Sequence, residues 1–189
     1  LLASAVAVRA QLSPGGDAPL SSVLEIRNLS HSKSRMGVPV EVEGVVTLEP
    51  LNESVGAGRD RLEESDQSFC VSQNESGILV VADPALLKGM RRGDLVKIKG
   101  TVEAGDFAPY IKASAVLRTG TAPLPASKPA FYDDLASGRF IWESVVMRGI
   151  VRRVAPMPAK DPEKWRFEIA TGGGRFVVLM RGENAQPPP

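Results

Sequence analysis

Cysteine and histidine are almost absent from this chain of 189 residues, which contains one of each, Cys70 and His31. A single cysteine cannot form an internal disulfide, and one Cys with one His cannot build a zinc site or a Cys/His nucleophile pair without several carboxylate ligands. An excess of one charge is missing as well, because 23 Lys and Arg stand against 22 Asp and Glu. Together these absences disfavour most classes of enzyme.

A strongly basic balance and a long apolar run are also lacking. A net charge of +1 offers little electrostatic attraction for nucleic-acid phosphates, which argues against dedicated duplex binding. No run of residues approaches the roughly 18 apolar positions that a membrane helix needs. What the chain does have is an apolar fraction of 43%, enough for a packed core in one or two domains.

The two ends differ from the middle in composition. Residues 1–11, LLASAVAVRAQ, are small and apolar and end in an A-x-A-like pattern, which favours the last part of a signal peptide over an ordinary helical turn. The Pro/Gly-rich stretch that follows predicts a linker, so residues 1–21 are interpreted as a signal remnant and linker. Residues 184–189, NAQPPP, predict an extended Pro-rich tail.

Alternation of apolar and polar residues is the dominant pattern between those ends. In 38–48 it places Val40 and Val42 on one face and Glu41 and Glu43 on the other, and it breaks at Gly44, which predicts a curved strand with a glycine bulge. The four-residue stretch 74–77, Asn-Glu-Ser-Gly, predicts a hairpin turn. Strands are predicted at 38–48, 68–72, 78–82, 95–102 and 110–117, and short helices at 22–29, 84–88 and 131–137.

A weak internal repeat, apolar-x-apolar-x-Gly-x-Val, recurs at 40–46, 96–102 and 145–151. A glycine at one place in each strand lets the strand coil tightly enough to close a small sheet. We therefore predict an all-β fold of two tandem small OB-like Greek-key barrels, the second one truncated. The predicted parts are a first barrel at 22–120, a Pro-rich joint at 121–130, a partial second barrel at 131–183 with two strands expected beyond the end, and the tail at 184–189.

Several motifs carry a resemblance to a known family. The chain is similar to the tandem OB-like extracytoplasmic region at the N-terminus of certain large bacterial sensor histidine kinases. The similarity spans about residues 22–180, and the longer acidic first loop, 49–66, departs from the family pattern. The motifs concerned are 39–47, GDLVKIKGTV at 93–102, GDFAPYI at 105–111, TAPLP at 121–125, DLASGRF at 134–140 and ATGGGRFVV at 170–178.

The resemblance implies a sensory or interaction region of a two-component signalling protein, without catalysis or a cofactor of its own. It implies a periplasmic or extracytoplasmic location, with tethering to the inner membrane through a downstream helix that these residues do not include, and kinase parts beyond it. The expected partner is an unidentified small ligand or protein, and neither the sequence nor the resemblance specifies an oligomeric state. A structural spacer without a ligand is an alternative that the sequence does not separate from a sensor.

Four features resemble chemical sites, but each favours a structural interpretation. His31 is expected in a solvated loop, and Cys70 is expected to be a small buried hydrophobe. The acidic stretch from Glu49 to Asp66 lacks the ligand spacing of an EF-hand and is interpreted as a solvated loop. Gly172–Gly174 lacks the spacing and the following Lys of a phosphate loop, so a hairpin turn is predicted there.

The candidate contact residues for a ligand or partner are Asp106, Phe107, Tyr110 and Trp142. The first three lie in the loop between the predicted fourth and fifth strands, where OB-type proteins commonly bind. Two interpretations remain open: Phe107 and Tyr110 plug the barrel end, or they line a binding surface. Trp142 likewise either packs the joint between the modules or lines a cleft between the 106–110 loop and residues 140–143.

Single-stranded nucleic acid is the alternative ligand class, since many OB barrels bind it on a basic face with exposed aromatics. Residues 38–118 contain nine Lys and Arg against thirteen Asp and Glu, which makes the first module a poor candidate. Residues 139–181 contain nine basic and four acidic residues. Export of the protein from the cytoplasm would conflict with a nucleic-acid-binding role, so no nucleic-acid partner is expected.

Overall fold

A computed structural model describes residues 18–51, 66–156 and 164–181, and within these ranges the protein has the predicted all-β fold. The predicted signal remnant at 1–11, most of the acidic loop and the Pro-rich tail lie outside the described residues. No helix within these ranges has the length and apolar character needed to cross a bilayer. The helices are α1 Val23–Arg27, α2 His31–Ser34 and α3 Tyr132–Ala136, and the strands are β1 Pro39–Leu51, β2 Gln67–Gln73, β3 Ser76–Ala82, β4 Asp94–Glu103, β5 Tyr110–Thr121, β6 Lys128–Pro129, β7 Val145–Val146, β8 Ile150–Pro156, β9 Lys164–Ala170 and β10 Arg175–Arg181.

Strands β1 to β5 close into a barrel in the order β1-β2-β3-β5-β4, with β4 paired back onto β1. This five-stranded Greek-key order is that of the predicted OB-like barrel. Neighbouring strands of the barrel pair antiparallel except at one seam, where β3 and β5 run parallel with Val80 opposite Ile111. The reason is topological: β4 runs antiparallel to β1 and β5 antiparallel to β4, so β5 must point the same way as β3.

The barrel core is built from the alternate apolar side chains of its strands, closed at one end by α1. Ser22 caps α1 by accepting a hydrogen bond from the backbone N–H of Glu25, and the helix buries Val23 and Ile26 completely. The following helix, α2, was not predicted, so His31 begins a short helix rather than lying in a loop, although it is exposed as expected. The buried core residues are Val23, Ile26, Val40, Val42, Val46, Phe69, Val71, Ile78, Val80, Ala82, Leu87, Val96, Ile98, Val102 and Ile111.

The two barrel glycines of the repeat have different roles. At Gly100 the β4–β5 register shifts, as a bulge requires. At Gly44 the predicted bulge is wrong, because Gly44 stays in register opposite Val96 and the β1–β2 register shifts only after Val46. Position 44 requires a glycine for another reason: a Cβ there would lie 2.9 Å from the carbonyl oxygen of Ser72 on the neighbouring strand.

Both predicted turns are present. Asn74 and Glu75 form the two-residue β2–β3 turn with φ of +48° and +65°, the left-handed pair that matches strand twist in tight hairpins. Gly172–Gly174 join β9 to β10, confirming a hairpin turn rather than a phosphate loop. Gly138, with φ of +73°, follows α3 near its C-terminal end.

Strands β8 to β10 form a three-stranded sheet in the order β10-β9-β8 that repeats β1–β3 in register, and β6 and β7 form a two-stranded sheet. Val45 lies opposite Ser72, and Ile150 lies opposite Ala170; each sheet then shifts register two residues after its glycine, Gly44 or Gly149. A Cβ on Gly149 would lie 2.8 Å from the carbonyl oxygen of Ala170, much as Gly44 faces Ser72.

The short segment that precedes the helix and the first strand of each sheet is repeated as well. Leu20 bridges Val40 in parallel before α1, and Lys128 of β6 pairs in parallel with Val145 of β7 before α3. By this correspondence every core-facing position of β1–β3 has an apolar counterpart in the second sheet. Those counterparts are Val145, Met147, Val151, Phe167, Ile169, Phe176, Val178 and Met180.

Candidate ligand site beside the barrel

The outer face of the barrel carries a second apolar cluster, which Trp142 covers. Because side chains alternate along a strand, Phe69 enters the core while Cys70 faces outward. Cys70 packs there with Leu79, Val81 and Tyr110, and Trp142 lies against all four as a cluster. Trp142 is therefore a packing residue that fastens the segment after α3 to the barrel.

The backbone of Trp142 is held in a strained conformation at this contact. Its φ is +64°, a region that costs a non-glycine residue about 1–3 kcal/mol. A Cβ on Gly77 would lie 1.9 Å from the carbonyl oxygen of Trp142, so only glycine at the start of β3 permits the approach. The indole Nε1 is buried without a hydrogen-bond partner among the described residues. Apolar packing therefore maintains the contact, although the strained backbone and the unpartnered indole N–H of Trp142 both oppose it.

A carboxylate next to Trp142 ties three parts of the chain together. Glu143 accepts hydrogen bonds from Arg27, at the end of α1, and from Lys128 of β6, the latter at 2.8 Å. The Glu143 side chain is only 9% exposed and that of Arg27 14%. Lys128 also donates to the backbone carbonyl of Glu75 in the β2–β3 turn, at 3.0 Å. This ion-pair network locks α1, the joint and the hairpin in one arrangement.

Glu143→Gln is expected to lower the free energy of unfolding by about 1–3 kcal/mol, since it leaves two cations beside a neutral amide of the same shape. Chemical denaturation followed by tryptophan fluorescence measures the loss. Glu25→Gln, an exposed change on α1, is the control and should alter stability by less than about 0.5 kcal/mol. Equal stability of both variants would contradict a structural role for the network.

A cavity of about 370 Å³ opens beside this network. Its walls come from the end of α1, from α2, from the loop between β4 and β5, and from Ile141. Three side chains of different chemistry are exposed at its rim: Asn28, His31 and Asp106. The lining residues are Arg27, Asn28, Leu29, His31, Ser34, Ala104, Gly105, Asp106, Phe107, Ala108, Pro109 and Ile141.

A neighbouring hollow of about 380 Å³ shares Phe107 and Ile141 with that cavity and is completed by Phe140 and the end of α3. Residues of the 106–109 loop and residues 140–141 therefore lie close together. Cavities of this size match the lower range of small-molecule sites in proteins. The arrangement offers mixed polar and apolar walls, suited to a small ligand with both kinds of group.

The four predicted contact residues separate into two pairs. Asp106 and Phe107 are exposed at the cavity, and Phe107 at 80% exposure does not plug the barrel. Tyr110, at 1% exposure, and Trp142 belong to the packed cluster on the barrel wall. The first pair lines the cavity, whereas Tyr110 and Trp142 do not; each of them directly follows a lining residue, Pro109 or Ile141.

Sequence reasoning missed the residues contributed by the N-terminal helices and by the segment after α3. Arg27 and Glu143 are 116 residues apart, and no local pattern connects an arginine with a glutamate at that distance. The contribution of α2 to the cavity was also missed, because a helix of four residues has no apolar periodicity.

Cys70 lies in the packed cluster on the barrel wall and not at the cavity. Cys70 is buried, and its burial raises the pKa of its thiol to about 12, in keeping with the predicted hydrophobic role. Within the described ranges no group of three or more His, Cys, Asp or Glu could hold a metal ion. Of the acidic stretch at 49–66, residues 52–65 lie outside those ranges.

Comparison with known proteins gives no family assignment. No protein-family model matches the chain. No curated protein matches it either.

Among solved structures, the hypothetical protein YgiW from E. coli is 13% identical, with a TM-score of 0.37 over 59% of this chain and 100% of that one. An OBody bound to hen egg-white lysozyme is 22% identical, with a TM-score of 0.39 over 60% of this chain and 100% of that one. A putative aspartyl-tRNA synthetase from Leishmania major Friedlin is 8% identical, with a TM-score of 0.39 over 65% of this chain and 24% of that one.

Proposed function

We propose that this chain is a non-catalytic sensory region that binds a small ligand in the cavity between α2, the 106–109 loop and Ile141. One observation carries the proposal: Arg27 lines the cavity and also forms the ion pair with Glu143, and the lining residue Ile141 directly precedes Trp142, which packs on the barrel. A ligand seated there contacts the residues on which the arrangement of the joint depends. Binding energy is thereby coupled to the position of the following sheet.

The resemblance to sensor histidine kinases supports the wider context of the proposal. In that context the region lies in the periplasm or another extracytoplasmic space, tethered to the inner membrane, and it passes the ligand signal to kinase parts of a two-component protein. A spacer role would need no cavity at the joint. The cavity favours the sensor over the spacer, because a concave site with a few polar side chains at its rim is the usual form of a small-molecule site.

The experiment is an NMR titration of the ¹⁵N-labelled chain with the low-molecular-mass fraction of a bacterial cell extract. Selective shifts of the amides of Asn28, His31 and Gly105 to Ala108 are expected, and they should disappear in Asp106→Ala and Phe107→Ala. Both replaced side chains are exposed, so the variants should keep the thermal stability of the parent. Shifts that persist in both variants, or none at the cavity, would place the function elsewhere.

Single-stranded DNA and RNA are expected not to bind with sub-micromolar affinity at about 150 mM salt, where electrostatic attraction is strongly screened. Of the three aromatic side chains of the barrel, Phe69 and Tyr110 are buried and cannot stack on bases, which leaves Phe107 alone exposed. Fluorescence anisotropy with labelled oligonucleotides of mixed sequence tests this. Tight binding there would replace the sensory role with a nucleic-acid role.

A further inference from the structure

The second sheet has a basic side, opposite the apolar residues that correspond to the barrel core. Because side chains alternate along a strand, the residues between those core-facing positions share the other side of the sheet. Strand pairing places them in three rows, and the middle row consists of Arg153, Glu168 and Val177. We call this side the outer face of the second sheet. Its nine residues are Ile150, Arg153, Ala155, Arg166, Glu168, Ala170, Arg175, Val177 and Leu179.

The repeat shows that this face is built differently from its counterpart on the barrel. There the carbonyl oxygen of Trp142 would lie 1.9 Å from a Cβ on Gly77, so only glycine admits the segment that covers the face. The register places Arg175 at the position of Gly77. It also replaces Cys70, a member of the cluster under Trp142, by Glu168. A segment cannot pack on the second sheet as Trp142 packs on the first, and the outer face is charged through its own residues.

Three arginines give the outer face a positive charge. Arg153, Arg166 and Arg175 are all exposed. Glu168 is the one acidic residue among the nine, and it forms an ion pair with Arg166 at 3.4 Å. Three arginines against one glutamate leave a net charge of +2 on this face. The partner of such a surface is negatively charged.

The arginines are spread over the face and do not surround one point. Arg166 and Arg175 lie on neighbouring strands, two rows apart, which separates their Cα atoms by roughly 14 Å in ordinary strand geometry. Apolar side chains lie between and beside them: Ile150 is 62% exposed, Val177 46% and Leu179 44%. This spacing favours a surface with many separate negative charges over a single phosphate group.

A membrane that contains anionic lipids is the polyanion that this pattern favours. Cations interspersed with exposed apolar side chains are typical of proteins at a lipid surface, where the cations meet phosphate groups and the apolar groups enter the acyl boundary. Single-stranded nucleic acid would need exposed aromatic residues for base stacking. The aromatic residues of these strands, Trp165, Phe167 and Phe176, occupy the opposite face.

We propose that the outer face of the second sheet binds the surface of a membrane containing anionic lipids, with its three arginines on the lipid phosphates and with Val177 and Leu179 at the acyl boundary. None of the nine residues lines the cavity beside α2, so the proposal does not rest on the proposed function. A strand on the core-facing side of the sheet would leave this face unchanged.

Sedimentation with lipid vesicles tests the proposal on the whole chain. One vesicle preparation is pure phosphatidylcholine, and the other contains about 30% phosphatidylglycerol, both in about 100 mM salt. The partition coefficient should be higher for the anionic vesicles by about tenfold or more, since each arginine near such a surface contributes a factor of about five. Equal partition coefficients, or no binding at about 5 mM lipid, would overturn the proposal.

Charge changes on the face identify the surface that binds. Replacement of the three arginines by glutamine should reduce the partition coefficient on anionic vesicles to the value on neutral ones. Glu168→Gln should raise it about fivefold, because it removes the one negative charge of the face. A gain of this kind does not arise from misfolding. A variant of either kind that binds like the parent would contradict binding through the outer face.

A matched control removes the same charge from the barrel. Lys88→Gln, Arg91→Gln and Lys112→Gln replace three exposed cations. The combined variant should bind anionic vesicles within about twofold of the parent, because these charges lie away from the outer face and are screened. Circular dichroism verifies that all variants are folded. A loss equal to that of the arginine variant would overturn the proposal, since net charge and not the outer face would then drive binding.

Val177→Ala combined with Leu179→Ala separates a membrane from a soluble polyanion. Both side chains are exposed, so the variant should stay folded. Its partition coefficient should fall by about fivefold or more, because less apolar surface enters the lipid. Binding equal to that of the parent would show that charge alone acts, and the face would then be assigned to a soluble polyanion rather than a membrane.

Discussion

Gly100→Ala is expected to lower the free energy of unfolding of the barrel by about 3 kcal/mol, the upper part of the range for inserting a methyl group into a packed site. A Cβ at this position would lie 2.1 Å from the carbonyl oxygen of Lys112 and 2.9 Å from the Cα of Ala113. Both are backbone atoms of β5, so no side-chain rotation relieves the clash. The β4–β5 seam must open instead.

Gly120→Ala is the matched control because Gly120 lies in the same strand pair and a Cβ there would meet nothing within 4 Å. It should change stability by less than about 0.5 kcal/mol. Gly44→Ala should fall between the two, since its Cβ would lie 2.9 Å from the oxygen of Ser72. Urea unfolding of the three variants gives the order, and a Gly100 variant as stable as the Gly120 variant would contradict the close approach of β4 and β5.

Trp142→Ala is expected to detach the segment after α3 from the barrel and to expose Cys70. The indole covers the cluster of Cys70, Leu79, Val81 and Tyr110, and its removal should cost about 2–4 kcal/mol. Burial raises the pKa of the Cys70 thiol to about 12, which leaves almost no thiolate at pH 8. Exposure returns the pKa toward its ordinary value, so the thiolate fraction and the access of a reagent increase together.

The measurement is the rate of Cys70 modification by a thiol reagent at pH 8, and Trp142→Ala should raise it by at least tenfold. Phe107→Ala serves as the control, because Phe107 is 80% exposed and lies outside the cluster. Its modification rate should equal that of the parent protein. A slow rate in both variants would show that the barrel alone protects Cys70.

Local sequence patterns predicted most of the barrel because its strands alternate and its turns use residues with special backbone freedom. The strand at 78–82 and the turn at Asn74 and Glu75 were identified in this way. The parallel seam between β3 and β5 was missed, because strand direction depends on the whole path of the chain and not on any local pattern. Gly44 shows a related limit: its need for a small residue comes from Ser72, a neighbour in space.

The candidate site was predictable only in part. Asp106 and Phe107 stood out because they lie in a loop between strands, where binding residues often lie, together with a second aromatic residue and a proline. Arg27 and Glu143 did not stand out, since their pairing links distant segments. Trp142 was recognised as a residue of the joint, but whether it packs or binds depended on the apolar outer face of β2 and β3, which alternation alone assigns to solvent.

We propose that this region belongs to a longer signalling protein. The signalling output of that protein is the most direct test of the sensory role. It should be measured in cells with Asp106→Ala combined with Phe107→Ala, and with Arg91→Ala as a surface control. The account predicts that the double variant loses its response at an unchanged melting temperature of the isolated chain, while the control responds normally. A full response from the double variant would contradict the assignment of the cavity as the ligand site.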